Sequence, residues 1–201
     1  MPEIFRTELN HGFISVWQVD EDLEFFKSYI AENEYSKLLS SFKNKNRLRQ
    51  KLVPHYLIKK FNNNLTLDNF DLIPKISNGF ISISHCKNFL AVSYDDSKPV
   101  GIDVEYYGER ILKIGHKYLN EHEKTFCDGD SLKSLVVWSA KEALFKKFGG
   151  DTVFFKENIS IEEFEKKDNL ILSSIVKMNG SEYKTDLMCK FYDEFLLVYT
   201  I

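Results

Sequence analysis

Two stretches decide how the chain is read: Val100-Gly101-Ile102-Asp103-Val104-Glu105 and, further on, Trp138-Ser139-Ala140-Lys141-Glu142-Ala143-Leu144-Phe145-Lys146. In the first, the strand period of two sends Val100, Ile102 and Val104 to one face and Gly101, Asp103 and Glu105 to the other. Two carboxylates then share a polar face, beside a glycine where a ligand could approach the backbone. A half-exposed edge strand whose acids face water accounts for the same pattern. In the second stretch, helical spacing sets Glu142 one turn from both Trp138 and Lys146. Leu132, Leu135, Val136, Ala140, Ala143 and Leu144 form its core face. A solvent-exposed ion pair of Glu142 with Lys146, worth about 0.3–0.5 kcal/mol, explains those two residues unaided.

Outward from these stretches, helices and strands alternate. Gly12 to Val19 reads as a first strand, and Asp20 and Asp22 cap a helix running toward Leu39. A second helix covers roughly Arg47 to Phe61, with Pro54 kinking it or starting it later and Asn62-Asn63-Asn64 stopping it. Phe80 to Ser84, Phe89 to Tyr94 and Val100 to Tyr106 read as three strands of an antiparallel meander. Beyond them come helices at Ile111 to Tyr118, Asn120 to Phe126 and Ser131 to Phe148, the last ended by Gly149-Gly150 in the left-handed manner. Strands near Leu170 to Met178, Tyr183 to Phe191 and Phe195 to Thr200 close the chain. The turn at Asp96 to Pro99 marks the boundary, giving an N-terminal lobe over 1–98 and a C-terminal lobe over 99–201. The fold class is α+β.

Composition narrows the partners. Of 201 residues, 27 are basic and 30 acidic, a formal net charge of -3, which disfavours attraction to nucleic-acid backbones. Cys86, Cys127 and Cys189 are odd in number and widely spaced, so they suggest neither a disulfide framework nor a zinc site, and a reducing cytoplasm fits. No apolar run reaches membrane-spanning length and the N-terminus lacks a secretory pattern.

Taken jointly and in this order, Gly101-Ile102-Asp103-Val104-Glu105 and Trp138 to Lys146 resemble the signature pair of the phosphopantetheinyl transferase superfamily. Ser82-Ile83-Ser84-His85 resembles the Ser-His element of its longer, two-lobed members, of the surfactin-synthetase-activating type. The trimeric acyl-carrier-protein synthases of the superfamily are much shorter and form their site between subunits, so this chain is expected to be a monomer carrying both lobes. The resemblance implies two similar α/β lobes related by a pseudo-two-fold axis, each with a small, mainly antiparallel sheet packed on helices, and an active site at their seam. It implies transfer of the phosphopantetheine arm of coenzyme A to a serine of an apo acyl or peptidyl carrier protein. A non-catalytic relative that binds coenzyme A or carriers is the alternative.

By the same resemblance, Asp103, Glu105 and Glu142 converge on Mg2+, a hard cation that prefers carboxylate, phosphate and water oxygens. Glu142 is also the candidate base, and Lys146 stabilises the departing phosphate and contacts coenzyme A. Ser84 and His85 are implied phosphate contacts, although a lone histidine at a strand end also suits a surface or capping role. Lys141 is assigned to coenzyme A or the carrier, or else to solvent. Glu123 either lies near the metal or closes a capping box with Asn120. In the run Lys43, Lys45, Arg47, Arg49, Lys51, Arg49 is the choice for the 3'-phosphate, because guanidinium binds phosphate bidentately; most of the run reads as a solvated helix face. Longer relatives carry a Gly-Lys-Pro segment before the Ser-His strand. Here Phe70-Asp71-Leu72-Ile73-Pro74-Lys75-Ile76 lacks that order, and Lys75 is the substitute.

Overall fold

The computed structural model describes residues 3–68, 73–149 and 153–201. The chain divides into two compact units, Met1–Pro99 and Val100–Ile201. Phe70-Asp71-Leu72 and Gly150, which entered the sequence reading, lie outside the described residues.

The N-terminal unit is built on an antiparallel sheet of order β1-β2-β6-β5. Its strands are β1 (Glu3–Leu9), β2 (Gly12–Gln18), β5 (Phe80–Cys86) and β6 (Phe89–Asp95). A two-stranded pair, β3 (Leu67–Asp68) with β4 (Lys75–Ile76), stands apart. The helices are α1 (Leu23–Lys27), α2 (Glu32–Ser41) and α3 (Lys45–Phe61). Phe13, Trp17, Phe26, Leu38, Leu52, Leu57, Leu90 and Val92 form the core. The single helix expected from Asp22 toward Leu39 is two helices, because Ala31 is extended (φ -56°, ψ 138°) and begins a second one. Helix α3 does not start late at Pro54. The Asn44 side chain accepts from the N–H groups of Asn46 and Arg47 and so caps it at Lys45.

The C-terminal unit holds an antiparallel sheet of order β7-β11-β10-β9-β8. Its strands are β7 (Ile102–Tyr106), β8 (Ile159–Ile161), β9 (Asn169–Met178), β10 (Ser181–Phe191) and β11 (Phe195–Thr200). Its helices are α4 (Arg110–Tyr118), α5 (Glu121–Cys127), α6 (Ser131–Phe148) and α7 (Phe155–Asn158). The expected three-strand meander is therefore corrected: β5 and β6 pair, but β7 leaves them for β11. Asp95 explains the departure. Its carboxylate accepts from the Ser97 N–H, the Ser97 hydroxyl and the Lys98 N–H, which tightens the turn, and Pro99 has no N–H to extend a ladder.

Helix α6 organises the unit. Asp130 caps it by accepting from the N–H groups of Leu132 and Lys133, and the Gly149 N–H closes it on the Phe145 carbonyl. Gly149 has φ 60° and ψ 161°, so it leaves the helix in an extended, positive-φ form rather than the expected left-handed helical one. Leu135, Val136, Ala140, Ala143 and Leu144 are buried with Leu172, Val176, Leu187, Leu196 and Val198 of the sheet. A Cβ at Gly101 would fall on the Ala143 carbonyl. What approaches the Gly101 backbone is thus helix α6, not a ligand, and the glycine sets how closely helix and strand β7 pack. Gly101→Ala is expected to lower the melting temperature by about 2–12 °C, since overpacking costs roughly 1–3 kcal/mol and each kcal/mol is worth about 2–4 °C at this size. A thermal melt unchanged from the parent contradicts the close approach.

Candidate active site

Asp103 and Glu105 face the helix rather than water. Asp103 stands opposite Val198 and Glu105 opposite Leu196 in the β7–β11 register, and both partners belong to the core under α6. Directly opposed antiparallel residues share a face, so the acids project into the α6 side of the sheet. Strand β7 is the edge of its sheet, but the water-facing reading fails: Asp103 is only 3% exposed, and Ile102 and Val104 on the other face are buried as well.

A buried carboxylate requires compensating donors. The Ser139 hydroxyl donates to one Asp103 oxygen at 2.7 Å and the Lys146 ammonium to the other at 2.7 Å. Lys146 also donates to the Ile102 carbonyl at 3.1 Å. The neighbouring Trp138 indole N–H donates to Glu105 at 3.0 Å. Consecutive residues of one helix turn therefore hold alternate residues of one strand. Among the described residues the ion pair of Lys146 is with Asp103, not with Glu142 as helical spacing suggests. Magnitudes account for the choice: an exposed i,i+4 pair gives about 0.3–0.5 kcal/mol, whereas a hydrogen bond to a charged, shielded group gives about 1.5–3 kcal/mol.

Glu142 lies half-buried one turn before Lys146. Burial pushes its carboxyl up to about 7, with the charges of Asp103 and Glu105 pushing the same way and Lys146 opposing. Glu105 is likewise raised, first by burial and then by Asp103, with its Trp138 hydrogen bond and Lys146 pulling it down. Three carboxylates thus share one ammonium. Among the described residues, no group of three or more His, Cys, Asp or Glu side chains is gathered as metal ligands. The donor chemistry nonetheless suits a hard divalent cation. All three acids offer oxygen, no soft ligand is among them, and their mutual repulsion is the surplus negative charge that a cation relieves.

Lys141 corrects the sequence reading. It is neither solvated nor available to coenzyme A or a carrier, being 0% exposed and paired at 2.7 Å with Glu123, itself 0% exposed. Burial lowers its pKa while Glu123 opposes the shift. For Glu123 the capping-box reading holds: it accepts from the Asn120 N–H, and Asn120 accepts from the Glu123 N–H. Ser139 escaped the sequence reading. Its signal was a small hydroxyl at a position that continues the apolar stripe Leu132, Leu135, Val136, Ala140, Ala143.

The remaining candidates lie in the N-terminal unit. Arg49, on α3, donates to the Glu21 carbonyl at 2.6 Å and to Asn46 at 3.1 Å. Lys75 is exposed on β4; Ser84 and His85 are on edge strand β5, Ser84 buried and His85 exposed. Cys127 and Cys189 are free and buried, their thiols pushed up to about 11 and about 12 by burial, which leaves them inert.

Residues 99–189 match the family model described as the 4'-phosphopantetheinyl transferase superfamily. The C-terminal unit belongs to that superfamily. Asp103, Glu105, Glu142 and Lys146 all fall inside the matched segment. A comparison with curated proteins finds no match. Among the described residues no helix is long and apolar enough to cross a membrane.

The raised Glu142 pKa has a consequence for stability without metal. A carboxyl at about 7 in the fold, against about 4.3 unfolded, contributes stability that is full below the unfolded value and is lost as pH rises through the folded one. Glu142→Gln, which cannot ionise, loses nothing over that interval. Its melting temperature relative to the parent is therefore expected to rise by a few degrees from pH 4.5 to 7.5 and level off above. A constant difference across that range contradicts the shielded, repelled carboxyl.

Proposed function

We propose that the protein transfers the 4'-phosphopantetheine arm of coenzyme A to a serine of an apo acyl or peptidyl carrier protein, releasing adenosine 3',5'-bisphosphate. The observation that carries this reading is the match of residues 99–189 to the superfamily, a segment in which Glu142 stands one helical turn from a lysine held at Asp103 and the Ile102 carbonyl. The serine oxygen attacks the phosphorus that bears pantetheine, the bond to the nucleotide phosphate breaks, and the serine proton passes to Glu142. Lys146 supplies positive charge where the departing phosphate gains negative charge. Asp103 and Ile102 restrict where that ammonium can stand, and Ser139 fixes Asp103 in turn.

Asp103, Glu105 and Glu142 would hold Mg2+, which neutralises pyrophosphate charge when bound. For the phosphates of coenzyme A we assign Arg49, Lys75, Ser84 and His85 on their chemistry: a guanidinium, an ammonium, a hydroxyl and an imidazole, all competent donors to phosphate oxygen.

The test is to incubate the protein with an apo carrier, coenzyme A and Mg2+ and to weigh the carrier by mass spectrometry. The expected outcome is one added phosphopantetheine. An unmodified carrier that still binds would instead leave a non-catalytic relative. Asp103→Asn, which keeps polar partners for Ser139 and Lys146, and Glu142→Ala are each expected to cut the transfer rate at least about 100-fold while keeping a folded circular-dichroism spectrum. Chelation with EDTA should act likewise and be reversed by Mg2+; undiminished transfer in either variant removes these assignments.

A further inference from the structure

Lys141 and Glu123 form a fully buried ion pair that takes no part in the reaction proposed above. Its hydrogen bonding is complete. Lys141 donates to the Tyr118 carbonyl at 2.8 Å, to Glu123 at 2.7 Å and to the Phe155 carbonyl at 2.8 Å, which uses every ammonium proton. Glu123 also accepts from the Ile161 N–H at 2.9 Å and the Asn120 N–H at 2.9 Å. One pair thus ties the end of α4, the start of α5, the start of α7 and edge strand β8 to α6, at the residue immediately before Glu142.

The two carbonyls that Lys141 grips belong to residues whose rings flank Trp138. Tyr118 packs edge-on against the indole at 5.1 Å, and Phe155 lies at 5.5 Å from it and 5.4 Å from Phe145. Trp138 in turn donates to Glu105. A buried charge pair is a costly way to gain stability, since an apolar pair of similar volume often serves as well or better. Its geometric demands are stricter than those of an apolar contact, however, because each donor must meet its acceptor.

We infer that Lys141 and Glu123 are positioning residues: by fixing Tyr118 and Phe155 around Trp138, they hold the indole that orients Glu105 and set the phase of α6 that presents Glu142. The effect on turnover rests on the transferase reading; the effect on Trp138 does not. Single substitutions strand a charge in the core and threaten the fold. The informative variant is K141Q/E123Q, which removes both charges, leaves two N–H donors at position 141 in place of three and one acceptor oxygen at position 123 in place of two, and shortens the Lys141 arm by one atom.

The measurement is made in a W17F parent, where Trp138 is the sole tryptophan of the chain and its emission reports the clamp without any turnover. K141Q/E123Q is expected to fold, to shift Trp138 emission, and to lower kcat for transfer at least tenfold while KM for coenzyme A stays within twofold. F155L leaves the ion pair and its backbone contacts in place and is expected to move the emission in the same direction. A folded K141Q/E123Q with parental emission and parental kcat overturns the inference, as does unchanged emission in F155L. Should the double variant fail to fold, F155L decides alone. Inactivity of the parent would refute the transferase reading and leave the emission test intact.

Discussion

The C-terminal unit depends on one buried carboxylate. Asp103 sits 3% exposed under helix α6, and a charge so placed is tolerable only with donors on its oxygens. Ser139 and Lys146 supply them from the same helix. Strand β7 must then lie along α6 in one register, and Gly101 permits it by leaving no side chain against the Ala143 carbonyl. Packing and charge satisfaction specify the same alignment, and that agreement is a mark of a sequence that encodes one structure.

This alignment has an electrostatic cost that becomes useful chemistry. Burial of Glu105 and Glu142 beside Asp103 raises both of their pKa values, first by desolvation and then by its charge, so the two acids ionise reluctantly. Strain of this kind persists where surrounding structure over-determines it. Here the over-determination comes from opposite sides of α6: Lys146 and Ser139 bind the strand, while Lys141 anchors α4, α5 and α7 through Glu123, Tyr118 and Phe155.

Much of this was legible in the residues, and the misreadings share a cause. Helix α6 was read from Ser131 to Phe148 because an apolar stripe and a glycine stop coincide, and these are local signals. The Asn120–Glu123 capping box is local too, and stands as one of the two readings weighed. Strands β1, β3, β4 and β8 were missed; three of them are only two or three residues long, too short for a period to register. Depth was not legible at all. Periodicity assigns a side chain to a face but cannot say what covers it, so Asp103 and Glu105 were weighed as water-facing and Lys141 as solvated. Each is resolved by a partner distant in sequence: Ser139, Trp138 and Glu123 respectively. The meander failed for the same reason, since the strand that captures β7 lies at the far end of the chain.

The central claim is that the Glu142 carboxyl is raised first by burial and then by two neighbouring acids, and that a cation would relieve it. It is tested most directly by carbon-13 NMR titration of the Glu142 side-chain carboxyl, assigned by its loss in Glu142→Gln. The account predicts a midpoint of about 7 in the free protein, falling by at least about one unit when Mg2+ and coenzyme A are added, because an adjacent cation favours the charged form. A midpoint at the ordinary glutamate value, indifferent to Mg2+ and coenzyme A, would contradict it.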